Sequence, residues 1–338
     1  MPGQKALTVL GIESSCDDTA VAVLRGRRIL SNIVSSQDAI HGPYGGIVPE
    51  LASRQHIQNA LPVLDAALEQ ADITLNAIDG IAVTAGPGLV GSLLVGVSLA
   101  KSLAFAKNLP FIGINHLEGH LLAVQLEHEV DFPFLCVLVS GGHTSLYLAR
   151  DWGHYQRLGA TRDDAAGEAF DKGAKMLGLG YPGGRIIDEL AKAGQRDAIR
   201  FPRARIKKAR YDFSYSGLKT ALRQFLASPE RERHTQADIA ASYQEAVVDT
   251  VVDTTIRAAH DLNIRRVVVS GGVSANSRLR QCMTEAGEQN DFRAFFPSLK
   301  LCTDNAAMIA FAGVWRLAAG QRSGLDLNAS AVLPLENI

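Results

Sequence analysis

The stretch Thr8-Val9-Leu10-Gly11-Ile12-Glu13-Ser14-Ser15-Cys16-Asp17-Asp18-Thr19-Ala20-Val21-Ala22-Val23-Leu24 decides the fold. Residues 8–12 and 19–24 are apolar runs of strand length, and a short acidic segment divides them. That pattern predicts a β-hairpin whose tip carries Asp17 and Asp18. The plan recurs at residues 134–139 and 144–149, with Ser140-Gly141-Gly142-His143 as the tip. A second unit also occurs twice. Residues 81–84, the turn Gly86-Pro87-Gly88 and a helix from about Leu89 match residues 267–269, Gly271-Gly272 and a helix from about Ala275. Each hairpin precedes its own strand–turn–helix. The chain thus predicts two related α/β lobes with a ligand cleft between them.

Length agrees with two lobes: 338 residues exceed the roughly 250–300 at which single cores stop growing. The expected boundaries are an N-terminal α/β lobe over residues 1–130 and a C-terminal lobe over residues 131–304. A helix near residues 305–320 is expected to pack back on the first lobe. Further helices are expected at residues 48–67, 164–177 and 237–262. In the last of these, Tyr243, Val247 and Val251 share one stripe.

Hydrophobic content of 47% excludes a disordered chain. The 34 basic and 35 acidic side chains leave a formal charge of -1, which argues against coating nucleic acid by bulk electrostatics. One segment departs from the average. Residues 196–223 hold nine bases against Asp197 and Asp212, with Phe201, Tyr211, Phe213 and Tyr215 interleaved. This basic insertion reads as a patch for nucleic-acid phosphates or as a solvated loop. Cys16, Cys136, Cys282 and Cys302 are scattered and form no CxxC pair. Together with a start that lacks a signal-peptide pattern, they predict a reduced, cytoplasmic protein. Residues 81–100 are uncharged, but Gly86-Pro87-Gly88 breaks them. A buried strand, a turn and a packed helix are expected there, with no membrane partner.

Several motifs carry chemistry. Gly86-Pro87-Gly88-Leu89-Val90-Gly91 has the spacing of a dinucleotide loop, but the next strand ends in Asn115-His116 without the acid that would hold a ribose. Close strand–helix packing explains these glycines better. His116-Leu117-Glu118-Gly119-His120 puts two imidazoles on one helical face, as a metal site needs. Glu118 is one position away from the base of a zinc protease. Asp304, in a polar turn, is a candidate third ligand. The alternative is two partly buried histidines with no ion. The tip Ser140-Gly141-Gly142-His143 offers backbone donors to phosphate oxygens. Asp17 and Asp18 can hold a cation. Gly271-Gly272 gives a flat group access to the backbone, Asn276 can bond a base edge, and Asp171 and Asp188, with Gly183-Gly184 between them, can hold ribose hydroxyls. Together these predict an adenylate site.

These residues resemble a known family. Gly11-Ile12-Glu13-Ser14-Ser15-Cys16-Asp17-Asp18-Thr19 resembles its opening motif. Tyr44-Gly45-Gly46-Ile47-Val48-Pro49-Glu50, His116-Leu117-Glu118-Gly119-His120, Val139-Ser140-Gly141-Gly142-His143-Thr144 and Glu168-Ala169-Phe170-Asp171-Lys172 follow in family order. So do Tyr181-Pro182-Gly183-Gly184, Phe213-Ser214-Tyr215-Ser216-Gly217-Leu218-Lys219-Thr220, Gly271-Gly272-Val273-Ser274-Ala275-Asn276 and Thr303-Asp304-Asn305. The resemblance is to the TsaD family of tRNA N6-adenosine threonylcarbamoyltransferases, formerly described as O-sialoglycoprotein endopeptidases. It covers residues 8–315.

The resemblance implies an actin-like, sugar-kinase-like ATPase fold of two duplicated lobes with an interlobe cleft. It implies metal-dependent transfer of threonylcarbamoyl from threonylcarbamoyl-AMP to N6 of adenosine 37, forming t6A in tRNAs that read ANN codons. His116, His120 and Asp304 then bind Fe2+, or Zn2+ in its place, and Asp17 is a further candidate for that shell. Val139, Ser140, Gly141, Gly142, His143, Asp171, Gly184, Asp188 and Asn276 then bind the adenylate. No residue stands out as an obligatory general base: His143 is a candidate, with ligand contact as its alternative role. Implied partners are tRNA, a synthase supplying the adenylate, an inactive paralogous subunit and a small ATPase. The apolar helices at residues 48–67 and 89–106 are candidate faces for the paralogue. Three positions depart from the pattern: Ser14 replaces Thr, Asp18 replaces Glu, and Ala306 stands where Gly is usual. The last leaves room for a slight shift of the Asp304 turn, because Gly permits angles that Ala resists, and none of the three removes a proposed ligand. The rival readings are a small-molecule kinase of the same fold, a metalloprotease and an adenylate-binding scaffold.

Overall fold

The structure is a computed structural model that describes residues 6–204, 206 and 209–335. In chain order the strands are β1 (Thr8–Glu13), β2 (Asp18–Arg25), β3 (Arg28–Ser36), β4 (Gly80–Gly86), β5 (Phe111–Asn115), β6 (Phe134–Val139), β7 (Thr144–Asp151), β8 (His154–Ala160), β9 (Arg266–Ser270) and β10 (Arg293–Phe295). The α-helices are α1 (Asp38–His41), α2 (Pro49–Gln70), α3 (Val90–Lys107), α4 (His116–Leu122), α5 (Ala166–Met176), α6 (Gly183–Ala191), α7 (Ser216–Leu226), α8 (Gln236–Leu262), α9 (Ser277–Gln289), α10 (Leu299–Cys302) and α11 (Ala306–Ala318). The described residues divide into two compact units, residues 6–129 with Asp304–Leu335, and Val130–Thr303.

The first unit holds a five-stranded sheet in the order β3-β2-β1-β4-β5. The β1–β2 hairpin pairs Thr8 with Arg25 and Glu13 with Ala20, and β1, β4 and β5 run parallel. Both faces are covered, so the strands are apolar on both sides. Leu10, Ile12, Val21, Val23, Ile81 and Val83 form a core with Val63 and Leu64 of α2 and Val97 and Ala100 of α3. Helix α11 packs on β1, β2 and β4. Gly11 lies under Ala306 and Ala310 of α11, so this is the opposite face. The dinucleotide-like glycines serve packing: a Cβ on Gly88 would stand 2.5 Å from the Ser15 carbonyl oxygen. Helix α3 is long and apolar enough to cross a membrane by length and composition. Here Leu93, Gly96, Val97, Ala100 and Ala104 are buried against α2 and the sheet.

The second unit repeats the plan, with the order β10-β9-β6-β7-β8. β6 and β7 form the antiparallel hairpin, and β6, β9 and β10 are parallel. Position for position, the strand order and directions equal those of the first sheet, so the duplication includes a third antiparallel strand and a fifth parallel strand beyond the repeats visible in sequence. Helix α8 begins with a capping box in which Thr235 and Asp238 exchange side-chain and backbone hydrogen bonds. Its stripe of Tyr243, Val247 and Val251 is buried in the core with Leu135, Val137 and Phe170. Each such side chain contributes roughly 1.5–3 kcal/mol on burial. The helix after β9 starts later than its sequence suggests: Gly272–Ala275 is a 3-10 turn, and α9 begins at Ser277.

Candidate functional site

Two asparagine caps fix the candidate metal ligands in the first unit. Asn115 ends β5, and its side-chain oxygen accepts the Leu117 N–H at 2.9 Å, starting α4 at His116. His116 and His120 then lie one turn apart, with ring centroids 4.7 Å apart and planes at 89°. Asn305 caps α11 by accepting the Met308 N–H at 3.1 Å, and Asp304 immediately precedes it. Asp304 Oδ1 lies 3.0 Å from His120 Nε2 and 3.5 Å from His116 Nε2. Ligand atoms of all three residues fall within 4.8 Å of one another. Two imidazoles and a carboxylate suit a divalent first-row ion such as Fe2+ or Zn2+, so the donor set fits the expected metal. Ala306 is the first residue of α11 and is not among the described residues with positive φ. Ala306 therefore sits in ordinary helical backbone, which alanine adopts without strain.

Glu13 was not singled out as a functional residue in the sequence, although it closes β1 within the opening motif. Its fully buried carboxylate accepts the Ser15 N–H at 2.5 Å and the Thr84 hydroxyl at 2.7 Å. It also lies 2.9 Å from His116 Nδ1, and Ser15 Oγ lies 3.2 Å from the same nitrogen. A carboxylate behind a ligating histidine holds the proton on Nδ1 and leaves Nε2 to face an ion. Burial pushes the His116 pKa down, but Glu13 and Asp304 outweigh it and raise it to about 9. Burial raises the Glu13 carboxyl, and His116 outweighs that and lowers it. Without an ion, the two form a buried ion pair. Asp17 stands outside the trio. Burial and the nearby Asp304 charge raise its carboxyl. Asp18 is raised to about 7, first by burial and then by Asp304 and Asp17. Glu118 points to Arg316, at 3.0 and 2.9 Å, so it is engaged away from the ligands.

The second unit gathers the residues assigned to an adenylate. Parallel β6 and β9 are neighbours whose connections leave in opposite directions, a topological switch point, and ligands bind outside strand C-termini at such points. The turns 140–143 and 271–276 follow these two strands. Gly141 and Gly142 are exposed, and a Cβ on either would meet nothing within 4 Å. The tip is closed by Ser140 N–H to the His143 carbonyl at 2.8 Å and His143 N–H to Ser140 Oγ at 3.1 Å. Gly271 has φ of +91°, and a Cβ there would lie 2.4 Å from the Val139 carbonyl oxygen, so only glycine fits. Asp171 accepts the Gly183 N–H at 2.8 Å, which ties α5 to the start of α6 beside Gly184. Asp188 accepts the Ser277 N–H at 3.0 Å and its hydroxyl at 2.8 Å. Asn276 caps α9 through Leu279 at 2.9 Å and donates to Gln244 at 2.7 Å. Asp188 and Asn276 therefore shape the turn as well as facing it, a role invisible in the motif alone.

The structure gives three bases of the basic segment acid partners and buries three of its aromatic rings. Phe201, Phe213 and Tyr215 are core residues, at 3%, 0% and 1% exposure, so they offer no stacking platform to nucleic acid. Apolar burial claims the rings. Arg203 pairs with Asp249 at 2.7 Å, Arg210 with Asp261 at 2.6 Å and Lys219 with Asp164 at 2.8 Å. These acids come from other segments, which a local charge count misses. Arg205, Lys207 and Lys208 lie outside the described residues.

Comparison with known proteins gives the family. The family model for TsaD, tRNA N6-adenosine threonylcarbamoyltransferase, matches residues 28–311. The chain is 52% identical over 334 residues to the enzyme of that name from Syntrophotalea carbinolica, covering 98% of this chain and 97% of the relative. It is 56% identical over 325 residues to the Anaeromyxobacter dehalogenans enzyme, covering 95% and 97%. The chain belongs to the tRNA N6-adenosine threonylcarbamoyltransferase family. Membership in the threonylcarbamoyltransferase family makes it a transferase of tRNA modification that forms t6A. Among solved structures, HypF in its phosphate- and nucleotide-bound form is 15% identical with a TM-score of 0.64, covering 95% of this chain and 48% of that one. The ADPNP-bound activator of 2-hydroxyisocaproyl-CoA dehydratase from Clostridium difficile is also 15% identical, with a TM-score of 0.54, covering 93% and 97%. These likenesses show the actin-like ATPase fold, with the threonylcarbamoyltransferase family's two duplicated sheets.

Proposed function

We propose that this transferase moves threonylcarbamoyl from threonylcarbamoyl-AMP to N6 of adenosine 37 in tRNAs reading ANN codons, and does so with a bound metal. The observation that carries the metal reading is the convergence of His116, His120 and Asp304, with Glu13 behind His116. Fe2+ is the favoured ion, with Zn2+ possible in its place. When bound, it supplies Lewis-acid polarisation of an oxygen brought to it. The chain's own residues do the rest. Glu13 holds the His116 tautomer. The Gly141 and Gly142 backbone offers donors to the phosphate, and Asp171 and Asp188 offer acceptors to ribose hydroxyls. AMP is a good leaving group, so holding the adenylate in one pose supplies much of the rate. His143 is the candidate base for the amine proton.

The reading extends to a cytoplasmic enzyme served by a synthase that makes the adenylate, an inactive paralogous subunit and a small ATPase. The exposed side chains Ile57, Leu61, Val90 and Leu94 on α2 and α3 support a protein partner on that face. The test is nucleoside mass spectrometry of tRNA after reconstitution with threonine, bicarbonate, ATP and those partners. Threonylcarbamoyladenosine is expected with the wild type and lost with His116→Ala, together with bound metal. A metal-free His116→Ala protein of full activity refutes the metal role. Unmodified tRNA with phosphorylation of a sugar or acetate instead favours a small-molecule kinase.

A further inference from the structure

Glu118 sits between the two histidines, yet points away from them. At about 100° per residue, it lies opposite the midpoint of His116 and His120 on α4. There it is fully buried and meets Arg316, itself 5% exposed. The contact is a fork: Arg316 Nε reaches Glu118 Oε2 at 3.0 Å, and Nη2 reaches Oε1 at 2.9 Å and Oε2 at 2.8 Å. Arg316 belongs to α11, whose first turn follows Asp304. Helix α4 is therefore gripped on both faces by one segment, with Asp304 at the histidine face and Arg316 at the other. Between them, Gly119 lets α4 lie flat on α11, since a Cβ there would stand 2.8 Å from Ile309 Cδ1.

A buried ion pair of this kind adds little net stability over an apolar pair of the same volume. What it fixes is rotation and register. Arginine's planar fork accepts a carboxylate in few orientations. Side chains reach about 5–6 Å from a helix axis, so a rotation of about 10° moves their ends by about 1 Å. Metal ligands tolerate errors of about 0.2 Å.

We infer that Glu118 and Arg316 are positioning residues that set the rotation of α4, and with it the spacing of the His116 and His120 nitrogens from Asp304. The inference rests on the metal reading above. Its test uses the full chain and Co2+ as a spectroscopic probe, because Co2+ ligand-field bands report coordination geometry. Affinity is read by competition with a chelating dye below the thermal transition, and stability by metal-free melting. Glu118→Gln and Arg316→Lys are each expected to weaken Co2+ binding by about tenfold or more and to alter its bands, with the fold intact. The paired apolar variant Glu118→Leu with Arg316→Met is expected to melt like the wild type and still bind Co2+ weakly. Wild-type affinity and bands in the single variants, or in the apolar pair, overturn the inference and reduce the ion pair to packing. A wild-type protein that takes up no Co2+ overturns the metal reading, and this inference with it.

Discussion

Glu13→Gln isolates the part of the candidate metal site that the sequence left unassigned. The substitution keeps volume and removes one charge from a fully buried group. Three donors surround the carboxylate: Ser15 N–H at 2.5 Å, the Thr84 hydroxyl at 2.7 Å and His116 Nδ1 at 2.9 Å. A glutamine must turn its NH2 toward at least one of them. Facing Ser15, it sets donor against donor. Facing His116, it pushes the ring proton onto Nε2, the nitrogen that must be bare to bind an ion. Loss of such a partner lowers metal affinity by about 10–100-fold, or about 1.4–2.8 kcal/mol. The assay is competitive metal titration of the purified chain, with melting curves as a control for folding. Glu13→Asp is expected to recover part of the affinity, since it keeps the charge on a shorter arm. Glu13→Gln binding within twofold of wild type refutes the orienting role.

Three other outcomes follow from the same structure. Asn276→Ala removes a helix cap and the Gln244 contact, so it is expected to cost about 1 kcal/mol in denaturant unfolding and to weaken binding of an adenylate analogue; unchanged stability contradicts the capping role. Burial raises the Asp164 carboxyl, but Lys172 and Lys219 outweigh it and hold it below 3.8. Its stabilising contribution is therefore present above the unfolded value and is lost as pH falls through the folded one, so Lys172→Met is expected to move acid unfolding, followed by circular dichroism, to higher pH. Arg203 is paired with Asp249, so Arg203→Ala is expected to change the slope of log tRNA affinity against log salt by much less than the roughly 0.7–0.9 that one phosphate contact gives; a change of about 0.7–0.9 would show that Arg203 leaves Asp249 for the nucleic acid.

Local pattern was enough for much of the molecule. Alternation and apolar runs marked both hairpins, because a strand's period is written in adjacent residues. The His116–His120 pair was legible because helical spacing puts i and i+4 on one face. The partners of the basic segment were not legible, for the opposite reason. Asp249 and Asp261, which neutralise Arg203 and Arg210, stand 46 and 51 residues away. Phe201 and Phe213 look like surface aromatics among arginines until the core closes over them.

The sequence by itself determined the duplicated α/β plan, the apolar strands and the motifs that mark the family, since each depends on neighbours along the chain. Tertiary structure alone decided which side chains act together. Asp304 meets His120 across 184 residues, and Glu13 meets His116 across 103. Those pairings depend on where parallel strands end and on how α11 lies against the sheet and α4. The physical reason is that chemistry needs atoms a few ångströms apart, and the packing of distant elements sets that distance.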